Sequence, residues 1–171
     1  MNAVEHETQL DAAARAYVTI GMPAEELRTL WQRPDIQALI WADFADLTPV
    51  ADRTLDWVAH GPAGGEYRWR TETAEVGANE IRWSSLDGAD VPNVGSVTFH
   101  PAPGDRGTEL HLEVKFDPPG GVVGEAVSKL FHVVPREIVL KALYRFRALA
   151  VTGEIPTTNP QPAARSGSTD R

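Results

Sequence analysis

Residues able to do chemistry are few in this 171-residue chain, and their spacing excludes more than it suggests. There is no cysteine, which removes disulfides, a thiol nucleophile and every thiolate metal site. The five histidines, His6, His60, His100, His111 and His132, include no pair at i, i+3 or i+4 that would set two imidazoles on one helix face. His100 and His111 fall on adjoining predicted strands and can meet across a hairpin, although alternation turns His111 toward solvent. His60 would need a third strand beside them. A metal would further require another ligand and a supporting shell, so no metal site is expected. No Gly-x-Ser-x-Gly, P-loop, dinucleotide-binding glycine fingerprint or HExxH occurs. Gly61-Pro62-Ala63-Gly64-Gly65 is glycine-rich, but it lies between two strands, whereas a phosphate cradle needs a helix N-terminus. It reads as a turn. What remains is aromatic: Trp57, Trp69 and Trp83 share one parity on three neighbouring predicted strands. On a concave face they would line a pocket for a flat apolar ligand. The alternatives are packing under the last helix or stacking on the outer face.

The elements that must position these residues follow from periodicity. Arg15 to Gly21 alternates Ala16, Val18 and Ile20 against Tyr17 and Thr19, a strand with one buried face. Pro23 fits the first position of a helix carrying Leu27, Leu30 and Trp31, with Glu25 and Glu26 in the turn where the helix dipole favours anions. Pro34 ends it, and Asp35 can cap a second short helix bearing Ile36, Leu39 and Ile40. From about residue 45 to 117 the period becomes two. Leu55, Trp57 and Ala59 are followed by Tyr67, Trp69, Thr71 and Thr73, then Ile81, Trp83 and Ser85, then Val97 and Phe99. Leu110, Leu112, Val114 and Phe116 complete the series against Glu109, His111, Glu113 and Lys115. Glycine-, proline- and asparagine-rich breaks separate these runs, and such short connections imply an antiparallel meander. After Asp117-Pro118-Pro119-Gly120-Gly121 the pattern turns helical. A first piece is predicted over about 122–133, and Pro135 opens a longer one to about Val151. Its apolar arc is Ile138, Val139, Ala142, Leu143, Phe146, Leu149 and Ala150, and Gly153 is a fitting stop.

The expected organisation is a flexible leader over 1–14, one domain over 15–153, and a disordered tail over 154–171 that contains three prolines and no aromatic residue. Hydrophobic residues make up 42% and charged residues 23%, close to a globular average. The net charge of −8 repels phosphate backbones, so no nucleic-acid partner is expected. No apolar run approaches the roughly 20 residues of a membrane span, and the acidic N-terminus lacks the apolar core of a secretory signal. The cytoplasm is the expected compartment, and a homodimer is compatible with the sequence. Arg136, Lys141, Arg145 and Arg147 flank the last helix's apolar arc with Glu137 among them, a solvated edge rather than a lipid-headgroup site.

Several segments carry a family resemblance. Trp57…Gly61-Pro62-Ala63-Gly64, Trp69…Glu72, Ile81-Arg82-Trp83-Ser84-Ser85, Gly95-Ser96-Val97-Thr98-Phe99, Gly107-Thr108-Glu109 and Pro118-Pro119-Gly120 occur in this order. Arg145-Phe146-Arg147 and Thr152-Gly153-Glu154-Ile155-Pro156-Thr157-Thr158 follow them. Together, over about 15–158, the chain resembles the polyketide cyclase/dehydrase-like group of the START/Bet v 1 (SRPBCC) superfamily. The resemblance implies an α+β helix-grip fold, in which a curved antiparallel sheet of about seven strands wraps a long C-terminal helix around an apolar pocket. It implies no reaction, because this superfamily includes carriers, receptors and enzymes.

The leading expectation is binding of a small apolar molecule, such as a polyketide, quinone or lipid fragment, between the sheet and the C-terminal helix. Trp57, Trp69, Trp83, Phe99, Leu112, Val114, Leu143 and Phe146 would line the site, with entry near 117–124. No cofactor is implied, and no catalytic residue is identified. The competing expectation is a cyclase or dehydratase acting on a β-keto chain, which would need a buried acid/base group and a donor for an enolate. Inward candidates are Tyr67, Thr71, Thr73 and Ser85. Glu72, Arg70 and Arg82 would serve only if the opposite parity faced the cavity. A third expectation is a protein-interaction module, marked by a filled core and a large apolar surface patch.

Overall fold

Alternation of apolar and polar residues resolves into a single sheet in the computed structural model, which describes residues 13–61, 64–116 and 125–154. Strand β1 (Ala13–Ile20) buries Ala14, Ala16, Val18 and Ile20 and turns Arg15, Tyr17 and Thr19 outward. After helices α1 (Ala24–Trp31) and α2 (Pro34–Ile40) come β2 (Ala45–Ala51), β3 (Thr54–His60), β4 (Glu66–Val76), β5 (Glu80–Ser85), β6 (Asn93–Pro101) and β7 (Thr108–Phe116). The seven strands lie in the order β1-β7-β6-β5-β4-β3-β2, every neighbouring pair antiparallel. Helix α3 (Glu125–Thr152) follows. This is the helix-grip arrangement that the resemblance implies. The leader up to residue 12, the loop 117–124 and the tail from residue 155 lie outside the described residues.

Four local details differ from the sequence reading, each for a physical reason. First, β1 begins at Ala13 rather than Arg15, because Ala13 and Ala14 continue the register opposite Lys115 and Val114. Second, β2 is an edge strand with only Ala45 buried, so it carries no alternation to read. Its Pro49 lacks an N–H, which an edge tolerates, and the register shifts between Pro49 and Ala51. Third, Asp35 does not cap α2. Arg33 holds the cap position, Pro34 the first helical position, and Asp35 takes the Arg33 guanidinium in a two-pronged pair at 3.1 and 2.6 Å. Leu39, expected on the apolar face of α2, is 44% exposed, and Gln37 is buried in its stead. Fourth, α3 runs unbroken through Pro135; a proline costs one backbone hydrogen bond but need not end a helix.

The apolar arc of α3 is as the periodicity predicts. Val139, Ala142, Leu143, Phe146 and Leu149 are buried, Ile138 and Ala150 are half-buried, and Tyr144 is exposed. The helix packs over β1 and β7 and against α2. It stops at Gly153, whose φ of +74° is the left-handed conformation that glycine adopts freely. Its outer edge is held by Asp43, in the α2–β2 connection, which pairs with Lys141 and, at 2.8 Å, with Arg145. One loop anchors two turns of helix.

A close approach fixes β5 against β6. Trp83 lies directly opposite Gly95, and a Cβ at Gly95 would overlap the Trp83 indole at Cζ2 and Cε2. The missing side chain is the space the ring occupies. Gly95→Ala is therefore expected to destabilise the fold by about 1–3 kcal/mol, as overpacking does, and to disturb Trp83; urea unfolding followed by tryptophan emission measures both. Hydrogen bonds from Lys141 and Arg145 hold the Asp43 carboxyl below the usual carboxylate range. A lowered folded-state value means the contribution is full above the unfolded pKa of about 4 and disappears as pH falls through the folded value. Asp43 is half exposed, so the substitution Asp43→Asn should cost less than about 1 kcal/mol at pH 7. The difference from the parent protein should shrink as the pH is lowered below the unfolded pKa of about 4, as read from urea midpoints at successive pH values.

Candidate functional site

The concave face collects all five tryptophans of the chain, each no more than 9% exposed. Trp57 and Trp69 are direct partners across β3 and β4, and their rings stack at 5.7 Å with an interplanar angle of 17°. Trp41 packs on Trp57 at 5.8 Å, and Phe44 on Trp69 at 5.9 Å. Toward the other flank, Trp31 at the end of α1 lies 6.4 Å from Trp83 and meets Phe146 of α3 edge-on at 4.9 Å. Parity thus places the three strand tryptophans inward, and Arg70, Glu72 and Arg82 stand exposed on the convex face.

Between these aromatic groups lies a cavity of about 430 Å³. Its sheet wall is Leu55, Trp57, Thr71, Thr73 and Trp83; its helical wall is Trp31, Gln32, Pro34 and Gln37; and Ala51 to Thr54, the β2–β3 turn, form the rim. This cavity is bounded by α1 and α2, whereas the sequence reading sets the pocket against the C-terminal helix. Among the described lining residues none belongs to α3, whose Phe146 backs Trp31.

Polar groups in this wall are mostly tied to one another. Thr71, 1% exposed, accepts a hydrogen bond from Trp57 Nε1 at 2.9 Å. Gln37 donates from Nε2 to the Trp31 carbonyl at 2.6 Å and accepts from Trp41 Nε1 at 3.0 Å, bridging the two helices. Gln32 donates to Glu75 at 3.0 Å at the outer margin. The ionisable lining groups, Asp52 and Arg53, are both exposed on the rim. Arg53 sits at φ +60°, an uncommon backbone setting for a side-chain-bearing residue, and its carbonyl accepts from the Thr73 amide at 2.9 Å. The inner surface is therefore aromatic, with hydroxyls and amides and without a buried charge among the described residues.

Of the residues singled out from sequence, Trp57 and Trp83 line this cavity. Trp69 and Val114 line a much smaller chamber beside it, which Trp57 and Trp83 also bound. Phe99, Leu112, Leu143 and Phe146 are at most 1% exposed in the core and line neither space. The residues that sequence reasoning missed are Trp31, Gln32, Pro34, Gln37, the 51–54 turn and Leu55. Trp31 carried a signal, as an apolar helix residue, but nothing in the sequence tells which strand its helix will cover. On the convex face His100 and His111 do meet, ring centroids 5.0 Å apart, with Tyr17 edge-on to His111 at 4.6 Å. His60 instead pairs with Asp46 at 3.0 Å on the far side of the sheet, and no group of three potential metal ligands forms among the described residues. Nor is any helix among them long and apolar enough to cross a membrane.

No family model and no curated protein sequence matches this chain. Solved structures do. Protein DR_A0006 from Deinococcus radiodurans is 30% identical, the match covering 83% of this chain and 98% of that one, with a TM-score of 0.65. The di-domain ARO/CYC StfQ of the steffimycin biosynthetic pathway is 16% identical over 86% of this chain and 54% of its own, with a TM-score of 0.62. A START superfamily protein from Mycobacterium smegmatis is 16% identical over 77% and 93%, with a TM-score of 0.59. At 16% the likeness is one of fold, and it is the fold reached above from the strand register and α3. With the Deinococcus relative at 30% over nearly its whole length, the chain belongs to one family with that protein, and its fold is that of START and polyketide cyclase-like proteins.

Proposed function

We propose that this protein binds a small, flat, apolar molecule of polyketide, quinone or lipid-like character in the cavity between α1–α2 and strands β3–β5. The observation that carries the reading is the wall itself: three indoles, Trp31, Trp57 and Trp83, facing about 430 Å³. That volume lies within the range of small-molecule sites, which are mostly apolar with a few placed polar groups. Thr71 and Thr73 supply hydroxyls, and Gln32 and Gln37 amides. Asp52 and Arg53 on the rim would meet a polar end of the ligand. Neighbours in fold include an ARO/CYC protein and a START superfamily protein, which supports a ligand-holding role.

A cyclase or dehydratase would require a general acid/base inside the water-poor part of the site. The ionisable lining groups are on the exposed rim, and this favours binding over that chemistry. The open cavity likewise favours it over an interaction module with a filled core.

Leu55 forms part of the wall and is only half-buried, so a larger side chain there can enter the cavity. An apolar fluorescent probe, 1-anilinonaphthalene-8-sulfonate, is expected to bind the parent protein saturably. Leu55→Trp, with its fold verified by circular dichroism and an intact unfolding transition, should weaken it by at least about tenfold. Equal affinity in a folded Leu55→Trp protein would sink the proposal.

A further inference from the structure

One residue in the wall of the small chamber beside the main cavity carries an unpaired polar atom. Trp69 is 5% exposed, and its Nε1 is the buried side-chain polar atom without a hydrogen-bond partner among the described residues. Buried indole N–H groups ordinarily find an acceptor, because leaving a donor dry and unpaired is costly. Nearby groups offer no relief. The other N–H groups around it, Trp57 Nε1, Trp41 Nε1 and Asn93 Nδ2, are themselves donors, spent on Thr71, Gln37 and the Val91 carbonyl, and the Asn93 amide oxygen makes no bond to Trp69 Nε1. The rest of the chamber, Phe44, Val114 and Phe116, is hydrocarbon.

The chamber's volume is about 10 Å³, at the lower limit for a single water. It has room for one oxygen atom and none for a ring. Trp57 and Trp83 bound both this chamber and the main cavity, so a flat molecule held against those two indoles would have its edge at the partition. We infer that the ligand carries a hydrogen-bond acceptor on its ring edge, a carbonyl oxygen as in a quinone or cyclised polyketide, and that Trp69 Nε1–H donates to it. The inference rests on the binding proposal above and adds the ligand's chemical class. Trp69 then acts as a specificity residue: an aromatic hydrocarbon of the same outline would leave the donor unpaired and bind less tightly.

Two probes of matched outline and charge separate these claims: anthracene-2-carboxylate, and 9,10-anthraquinone-2-carboxylate, which adds the ring carbonyls. The parent protein should prefer the quinone by about tenfold, the scale of one hydrogen bond whose donor is otherwise left dry. Trp69→Phe should abolish that preference while holding the affinity for the anthracene within about twofold. In the parent protein the Trp69 indole proton resonance should move downfield on adding the quinone and not the anthracene, a readout independent of whether Trp69→Phe folds. Equal binding of the two probes by the parent protein, or an unmoved indole resonance with bound quinone, would overturn the inference and leave the binding proposal standing. Binding of neither probe would overturn both.

Discussion

Trp57 stacked on Trp69 governs the geometry of the concave face. The two residues are opposed on β3 and β4, so the stack is set by strand register and not by a loop. Each large ring that joins it then has few places to go: Trp41 settles on Trp57, Phe44 on Trp69, and Phe116 of β7 packs on Phe44 at 5.9 Å. Aromatic side chains bury roughly 150–250 Å² each, and this group fills the space beneath the α2–β2 connection. The second aromatic group, Trp31, Trp83 and Phe146, fills the space beneath α1. The cavity is the gap between the two groups. It is kept open because Trp83 sinks toward β6 over Gly95 instead of closing on Trp57.

Polar satisfaction decides how rigid that gap is. Gln37 joins the last carbonyl of α1 to an indole just past α2, so the two short helices are tied to each other as well as to the sheet. Thr71 fixes the Trp57 ring from the neighbouring strand. Such bonds in a dry setting are stronger than at the surface and expensive to leave half made. The walls are thus preorganised, and a ligand entering them meets a shape more than a set of charges.

Much of this architecture is legible in the sequence, for reasons that also mark where legibility ends. Alternation reports which face a strand residue takes, and it places Trp57, Trp69 and Trp83 on the inner face. It does not report which helix lies above a given position. Leu112, Phe99, Leu143 and Phe146 share the inner face or the helix arc, yet they are packed in the core between β6, β7 and α3, while the cavity lies under α1 and α2. Gln37 was invisible for a different reason: a buried amide on a helix has no periodic signature, and only the arrival of Trp41 and the Trp31 carbonyl gives it a role. The edge strand β2 escapes a sequence reading because Pro49 and a mostly exposed set of side chains erase the two-residue period. Prolines mislead in the other direction at α3, where Pro135 reads as a boundary but is carried inside a continuous helix.

The irregular β2 edge has a consequence for how copies of this chain can meet. An open sheet edge offers a row of amides and carbonyls on which a foreign strand can grow. Here Pro49 removes one donor from that row, and the register slip before Ala51 puts the remainder out of step with any straight strand. Templated growth along this border is thereby interrupted. A residue that weakens the local ladder thus makes this border of the sheet a poor template for a further strand.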